Sequence, residues 1–341
     1  MAAKKVNVAI AGLGFMGVTH LRAYQKIPNA RVVAVCDGTR TPVDGIVRGV
    51  NGNIKSSAAV RLGPGVKVYR EYSEMIADPE VQVVDICTPT AKHSAHAIAA
   101  LKAGKHTLCE KPMAQNVSEA RKILQAAAAA DRFLMPAMCM RFWPGWGWLK
   151  QAVAQQTFGP VRAARLRRVS AKPTWGKAAS HAGGALLDLH IHDTDFVNFL
   201  FGRPASIFST GMVDAGGAVN HVLTQYFYPQ GPAVHAEGSW LLPDGFNMSF
   251  TLHCERAMID FDLSRGPSAL QVHVAGKPPR TVQLEQTDGY MEEVAYFVNC
   301  VARGVKPSVV TGQDGLTALE ICAAEEKSVR TGAVVRLKNQ A

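Results

Sequence analysis

The stretch that decides the fold is residues 6–26, which read VNVAIAGLGFMGVTHLRAYQK. An apolar run typical of a buried strand is followed by a glycine turn, and then by apolar residues at helical spacing. The turn has the pattern Gly12-x-Gly14-x-x-Gly17. Such a turn lets the backbone approach a pyrophosphate, while the first helical amides face the phosphates. The stretch therefore predicts a dinucleotide site that includes the three glycines and the helix-start residues Phe15 and Met16.

The second strand, ARVVAVCD, ends in an acid that bears on the choice of cofactor. Asp37 lies twenty residues after Gly17, where a carboxylate accepts hydrogen bonds from the ribose hydroxyls and repels a 2′-phosphate. We therefore expect NAD. Arg40 leaves NADP open, because a nearby arginine can accommodate that phosphate. The alternative is that Asp37 is an ordinary turn residue.

Strands continue to alternate with helical stretches at VKVYREY, VQVVDICTP and HTLCEKP. This alternation predicts a parallel, doubly wound α/β sheet, which binds ligands at the carboxyl ends of its strands. The residues just past two of those ends are candidates for cofactor binding: Thr88, Pro89, Thr90, His93, Glu110 and Lys111. For His93, which starts an amphipathic helix, a packed structural position is an equal alternative.

The part of the chain after about residue 200 changes to strands separated by Gly and Pro at hairpin-like spacing. We expect a Rossmann domain over residues 1–135 and a second α/β domain over 136–341 with a large antiparallel sheet. A broad sheet with apolar residues on both faces needs a layer of protein against each face. The sequence therefore predicts a homodimer or homotetramer formed through the C-terminal sheet.

Composition narrows the possible partners. The 341 residues are 48% hydrophobic and 19% charged, an ordinary globular balance, and no apolar run reaches the ~20 residues of a membrane helix. Seven scattered cysteines without a Cys-x-x-Cys pair fit a reducing, cytoplasmic compartment. The net charge is +10, but the arginines of VRAARLRRVS would divide between both faces of a strand. We therefore expect neither a nucleic-acid nor a membrane partner.

The segment ALLDLHIHDTDF (185–196) allows two interpretations. Asp-x-His-x-His resembles the zinc-binding first strand of an amidohydrolase barrel. On a helix, Asp188 and His192 are neighbours one turn apart, and no metal is needed. A barrel needs ~250 residues, whereas about 150 follow residue 188. The helical interpretation without a metal is favoured, and it leaves His190 without a role.

In the motifs AGLGFMG, CTPTAKHSAHAIAALKAGKHTLCEKPMA, MRFWPGW and GGALLDLHIHDTDF, the chain resembles the family of glucose–fructose oxidoreductase and inositol dehydrogenase. The resemblance spans about residues 6 to 200. It implies a nicotinamide-dependent dehydrogenase or reductase that acts on a sugar, a polyol or a related derivative. It also implies that Lys111 of CEKP is the active-site lysine and that Asp188 and His192 form the family's Asp-x-x-x-His. The chain departs from the family pattern at Thr90, often asparagine, and at His190, often a small residue.

The residue chemistry fits that activity. Histidine titrates near neutrality, which suits His192 to proton transfer. A lysine can hold the reacting oxygen of the substrate and stabilise negative charge on it. We expect Lys111, His192 and Asp188 to be catalytic and also to bind substrate, together with Arg141 and Trp175. A helix cap is the structural alternative for Asp188, and first-turn acids are the alternative for Asp193 and Asp195. A hydrolase that retains NAD and a non-catalytic NAD-binding relative remain as alternative functions.

Overall fold

The computed structural model describes residues 5–48, 59–173 and 183–338. The chain forms two compact units. The first comprises Met1–Phe142 and Asp288–Leu316, and the second comprises Trp143–Thr287 and Thr317–Ala341. A segment near the C-terminus therefore belongs to the first unit.

The first unit contains a six-stranded parallel sheet of order β5-β2-β1-β6-β7-β8. All four residues of β6 and of β8 and the last four residues of β2 are buried, as a sheet covered on both faces requires. A small antiparallel pair, β3 with β4, lies apart from it. The strands of this unit are β1 (Val6–Ala11), β2 (Ala30–Cys36), β3 (Ile46–Val47), β4 (Val60–Arg61), β5 (Lys67–Tyr69), β6 (Val83–Ile86), β7 (His106–Glu110) and β8 (Leu134–Ala137).

Helices connect these strands, as parallel neighbours demand. Their ends are set by local chemistry: Asn116 caps its helix by accepting from the Glu119 amide, and the Glu119 carboxylate accepts from the Gln115 amide. The helices of the unit are α1 (Phe15–Lys26), α2 (Tyr72–Ala77), α3 (Thr90–Lys102), α4 (Val117–Ala130), a short 3₁₀ turn (Cys139–Phe142) and α7 (Gly289–Arg303).

The second unit is built on a large, mostly antiparallel sheet. Its longest strand, β12, pairs with β9 along both of its halves, so Leu166 lies opposite Ala236 on one side and opposite Phe250 on the other. The strands are β9 (Val161–Ala171), β10 (Ser206–Val213), β11 (Val219–Phe227), β12 (Ala233–Cys254), β13 (Met258–Asp262), β14 (Leu270–His273), β15 (Arg280–Thr281) and β16 (Val335–Arg336). The parallel sheet of the first unit and the antiparallel sheet of the second unit confirm the predicted α/β fold class.

One face of this sheet carries the core of the second unit. Trp146 is fully buried, with its ring 5.0 Å from that of Phe250 and 4.7 Å from that of Phe261. Trp146 is therefore part of the hydrophobic core. The helical elements are α5 (Pro144–Ala154), a π-helical turn (Leu186–His190), α6 (Ile191–Phe201), a 3₁₀ segment (Leu263–Ser268) and α8 (Gly312–Thr331), whose first turn belongs to the first unit. Among the described residues, no helix combines the length and apolarity needed to cross a membrane.

Candidate active site

The glycine turn after β1 has the geometry that a dinucleotide requires. Gly12 has a φ of +92°, and a Cβ added to it would lie 2.6 Å from the Cys87 carbonyl oxygen. A Cβ on Gly17 would lie 1.8 Å from the Gly12 carbonyl oxygen, so this glycine lets α1 pack against the turn. A Cβ on Gly14 would meet nothing within 4 Å. The space beside Gly14 is where a pyrophosphate can approach the backbone.

The start of α1 can also receive an anion. Gly14 is the N-cap of the helix and has no side chain to bind the first amides. The amides of the first turn, including those of Phe15 and Met16, therefore face an open position at the positive end of the helix dipole. The turn and the helix start together fit the diphosphate of a dinucleotide.

Asp37 follows β2 and is held by backbone amides. Its Oδ2 accepts from the Leu13 amide at 2.8 Å, and its Oδ1 accepts from the amides of Thr39 and Arg40 at 2.9 Å. Burial raises the pKa of Asp37, but these hydrogen bonds outweigh it and leave the pKa below its usual value. The carboxylate is therefore ionised at neutral pH and is fixed next to the glycine turn through Leu13. Arg40 is exposed, and its backbone amide donates to Asp37.

The turn after β6 holds Thr88 and Pro89, and Thr90 begins α3. His93, in the first turn of α3, is buried, with Nδ1 2.8 Å from the Pro112 carbonyl oxygen and Nε2 2.7 Å from the Thr88 carbonyl oxygen. Burial outweighs these contacts and lowers the pKa of His93. Because both ring nitrogens face backbone carbonyls, His93 joins the segments after β6 and β7. This favours the structural alternative over direct cofactor binding.

β7 ends at Glu110, and Lys111 follows at the same sheet edge as the glycine turn. The Lys111 amide donates to Glu110 Oε2 at 2.9 Å, and Glu110 Oε1 lies 3.3 Å from His20 Nε2. Glu110 is 5% exposed, so its carboxylate faces the interior, which favours a supporting role over the predicted cofactor contact. Lys111 is half-buried and precedes a cis-proline, Pro112.

In the second unit, Asp188 and His192 lie on the segment that passes from the π-helical turn into α6. Both are half-buried, whereas residues 189–191 between them are buried. The two side chains therefore share the less covered side of this segment. Asp188 lies inside the π-helical turn, whose N-cap is Ala185, so the interpretation of Asp188 as a helix cap is wrong. π-helical turns occur frequently at functional sites.

His190 is buried and belongs to a polar network within the second unit. Its Nε2 lies 3.3 Å from Glu325 Oε1 and 3.3 Å from the Tyr226 hydroxyl, which donates to Glu325 at 2.7 Å. A Cβ on Gly238 would lie 2.5 Å from the His190 Cβ, so the histidine packs directly on β12. His190 is thus a structural partner of α8. The zinc interpretation of Asp-x-His-x-His is wrong, because the segment is helical and not a barrel strand.

This network gives a stability prediction with a control one residue away. Glu325→Ala should lower the free energy of unfolding of the second unit by about 3–5 kcal/mol, because it removes the buried carboxylate that contacts His190, Tyr226 and Thr194. Glu326 makes an exposed ion pair with Arg330, so Glu326→Ala should cost at most about 1 kcal/mol. Urea unfolding measures both. Equal midpoints for the two variants would show that the buried network does not stabilise the fold.

The sequence analysis also assigned roles to Arg141, Asp193 and Trp175. The buried Arg141 guanidinium donates to the Val309 carbonyl at 2.8 Å and to Asp314 at 3.0 Å, which favours a structural role over substrate binding. Asp193 is buried and forms a two-pronged ion pair with Arg168, at 2.8 and 3.2 Å, so its interpretation as a helix-dipole acid is incomplete. Trp175 lies outside the described residues.

Sequence reasoning missed two buried partners. Nothing local marks His20, in the second turn of α1, as the neighbour of Glu110, and nothing marks Glu325 as the neighbour of His190. The distances along the chain are 90 and 135 residues.

The fold and the glycine site define a class: an oxidoreductase with an NAD-binding Rossmann domain. The model of the oxidoreductase family with an NAD-binding Rossmann fold matches residues 6–138, and that of the Gfo/Idh/MocA C-terminal domain matches residues 146–260. The chain belongs to the Gfo/Idh/MocA family of oxidoreductases, which confirms both the resemblance and the expectation of NAD.

The chain is similar to curated enzymes over most of its length. It is 26% identical to myo-inositol 2-dehydrogenase of Thermotoga maritima, over 98% of this chain and 99% of that one. It is 35% identical to human trans-1,2-dihydrobenzene-1,2-diol dehydrogenase, over 72% and 76%. Among solved structures, aldose-aldose oxidoreductase from Caulobacter crescentus, complexed with glycerol, has a TM-score of 0.83 at 21% identity, covering 98% of this chain and 100% of that one.

Proposed function

We propose that the protein is an NAD-dependent dehydrogenase or reductase whose substrate is a secondary alcohol, or the matching ketone, of a sugar, an inositol-like polyol or a sugar derivative. When bound, NAD supplies the hydride acceptor and NADH the donor. The observation that carries the proposal is the common sheet edge of the glycine turn, Asp37 and Lys111. Ligands of such sheets bind at this edge. A cation at this edge can therefore contact a substrate oxygen beside the cofactor.

Each catalytic side chain has a separate task. Lys111 binds the reacting oxygen through its ammonium and stabilises the negative charge that develops there. His192 takes the hydroxyl proton during oxidation and returns it during reduction. Asp188, on the same side of the helical segment, orients the imidazole or binds a neighbouring hydroxyl. The half-burial of Asp188 and His192 supports these roles, because a proton-transfer group must be reachable by substrate.

Asp37 supports the preference for NAD over NADP. Its carboxylate is ionised and held by three backbone amides. Moving it away from a 2′-phosphate would break these hydrogen bonds. Juxtaposed like charges cost several kcal/mol, which corresponds to a preference for NAD of about a hundredfold or more in kcat/KM.

The experiment is a screen of sugars, inositols and their acids, each with NAD and with NADP, monitored by NADH absorbance. We expect net NADH formation with at least one polyol or sugar, and much slower reduction of NADP. Cleavage of a glycoside without net NADH would instead identify the hydrolase alternative. Tight NADH binding with no turnover of any compound would favour the non-catalytic alternative.

We also propose a homodimer or homotetramer formed through the large sheet. Leu166 and Ala236 are buried on one face, whereas Leu223, opposite Glu237 on the other face, is 41% exposed. Glu237 pairs there with Arg167 at 3.2 Å. An exposed face that combines apolar side chains with charge pairs supports association with a second copy. Light scattering should give a multiple of the monomer mass, and a monomer at all concentrations would exclude this assembly.

The cysteines support a reducing, cytoplasmic location for the protein. All seven lie in the described residues, and none of them forms a disulfide bond. Structural disulfides are common in oxidising compartments and rare in the cytosol.

A further inference from the structure

Four ionisable side chains are buried together in the first unit, and the roles proposed above use none of them. His20 lies on α1, Asp85 on β6, Glu110 at the end of β7 and Glu293 on α7. Their side chains are between 0 and 7% exposed. Burying charged groups is costly unless they are paired, so the arrangement of this cluster calls for a physical reason.

The contacts of the cluster form a continuous path that ends at Lys111. Asp85 Oδ2 lies 2.8 Å from His20 Nδ1, and His20 Nε2 lies 3.3 Å from Glu110 Oε1. The second oxygen of Glu110 accepts the Lys111 amide at 2.9 Å. The path therefore runs from the middle of the sheet to the backbone of the proposed catalytic lysine.

The charges of its neighbours explain why His20 lies between Asp85 and Glu110. Burial lowers the pKa of His20, but the charge of Asp85 and the hydrogen bond to it outweigh burial and raise the pKa well above its usual value. The imidazole meets a carboxylate at each of its nitrogens: Nδ1 is hydrogen-bonded to Asp85, and Nε2 makes an ion-pair contact with Glu110. Glu293 faces the same nitrogen at 3.8 Å, and burial together with the charges of Glu110 and Asp85 raises the pKa of Glu293 well above its usual value. The two shortest contacts of the imidazole are therefore those to Asp85 and Glu110.

We propose that His20 is a positioning residue for Lys111 and acts through Glu110. His20 holds the Glu110 carboxylate in the orientation that binds the Lys111 amide, and this sets where the lysine side chain leaves the backbone. Without His20, the buried Glu110 carboxylate lacks a cation and turns toward water, which releases the amide. This inference rests on the proposed catalytic role of Lys111.

The test compares two replacements of His20 with a matched control. His20→Leu fills the space without a donor, whereas His20→Gln retains an N–H that can point to Glu110. We expect His20→Leu to lower kcat by about a hundredfold, as a displacement of about 1 Å can do, and His20→Gln to recover about tenfold of that loss. The KM for NAD and the Kd for NADH should stay within about twofold of wild type in both variants.

Lys105→Met is the control for general destabilisation. The buried Lys105 ammonium donates to the carbonyls of Asp78 and Val81, in the same unit but away from this path. Its loss should lower the thermal midpoint while kcat stays at the wild-type value. If His20→Leu does not fold, His20→Gln with this control decides the question, because a purely structural role predicts unchanged kcat in both.

Four results would overturn the proposal or its basis. A folded His20→Leu protein with wild-type kcat would exclude the positioning role, as would a loss of NADH binding equal to the loss of kcat. One equivalent of metal in the purified wild type, lost in His20→Leu, would identify the cluster as a metal site instead. Wild-type turnover in Lys111→Ala would show that the proposed function has failed, independently of any effect of His20.

Discussion

Lys111→Ala and His192→Ala should each lower kcat by about two to four orders of magnitude and leave NADH binding intact. Removing a proton-transfer group costs about 10²–10⁴-fold, and removing a donor to a developing oxyanion costs about 10²–10³-fold. In the proposed function the glycine turn and Asp37 bind the dinucleotide, so the Kd for NADH should remain near the wild-type value. Steady-state kinetics and fluorescence titration with NADH measure the two quantities separately.

Matched controls separate this effect from the loss of any lysine or histidine. Lys102, exposed in the last turn of α3, and His253, exposed on β12, should be replaceable by alanine without loss of turnover. A normal kcat in Lys111→Ala or His192→Ala would refute the proposed mechanism. A loss of NADH binding in Lys111→Ala would place the lysine in the cofactor site instead of the catalytic step.

Gly17→Ala should weaken NADH binding by more than about tenfold and also destabilise the first unit. The added Cβ would lie 1.8 Å from the Gly12 carbonyl oxygen, so α1 must move away from the turn that we propose binds the pyrophosphate. Overpacking of this kind costs about 1–3 kcal/mol. Fluorescence titration with NADH and thermal unfolding measure the two effects.

Alanine substitutions at two other glycines are the controls for Gly17→Ala. Gly14→Ala adds a methyl to open space, so it should leave the thermal midpoint unchanged while the methyl competes with the pyrophosphate for that space. Gly147 lies in α5 with nothing within 4 Å of an added Cβ, so Gly147→Ala should leave binding unchanged and stability equal or slightly higher. Wild-type NADH binding in Gly17→Ala would show that the turn is not the cofactor site.

Local patterns were sufficient for the first unit. The glycine spacing, the apolar strand runs and Asp37 all follow from chemistry within a few residues, and the structure places them as expected. The same holds for the position of Lys111, because it follows a strand whose end must lie at the ligand edge of a parallel sheet. By contrast, the sequence did not show that the side chains of Glu110 and His93 face the interior.

The sequence by itself determined the fold class and the NAD-binding domain, because periodicity and turn chemistry are short-range properties. The residues proposed for catalysis were implied by the resemblance to the family. Only the tertiary structure decided which polar side chains are buried as partners: His190 with Glu325, Arg168 with Asp193 and His20 with Glu110. Such pairs join residues from 25 to 135 positions apart. Whether a charged residue faces a ligand or a buried partner depends on how distant elements pack, and no local pattern records that packing.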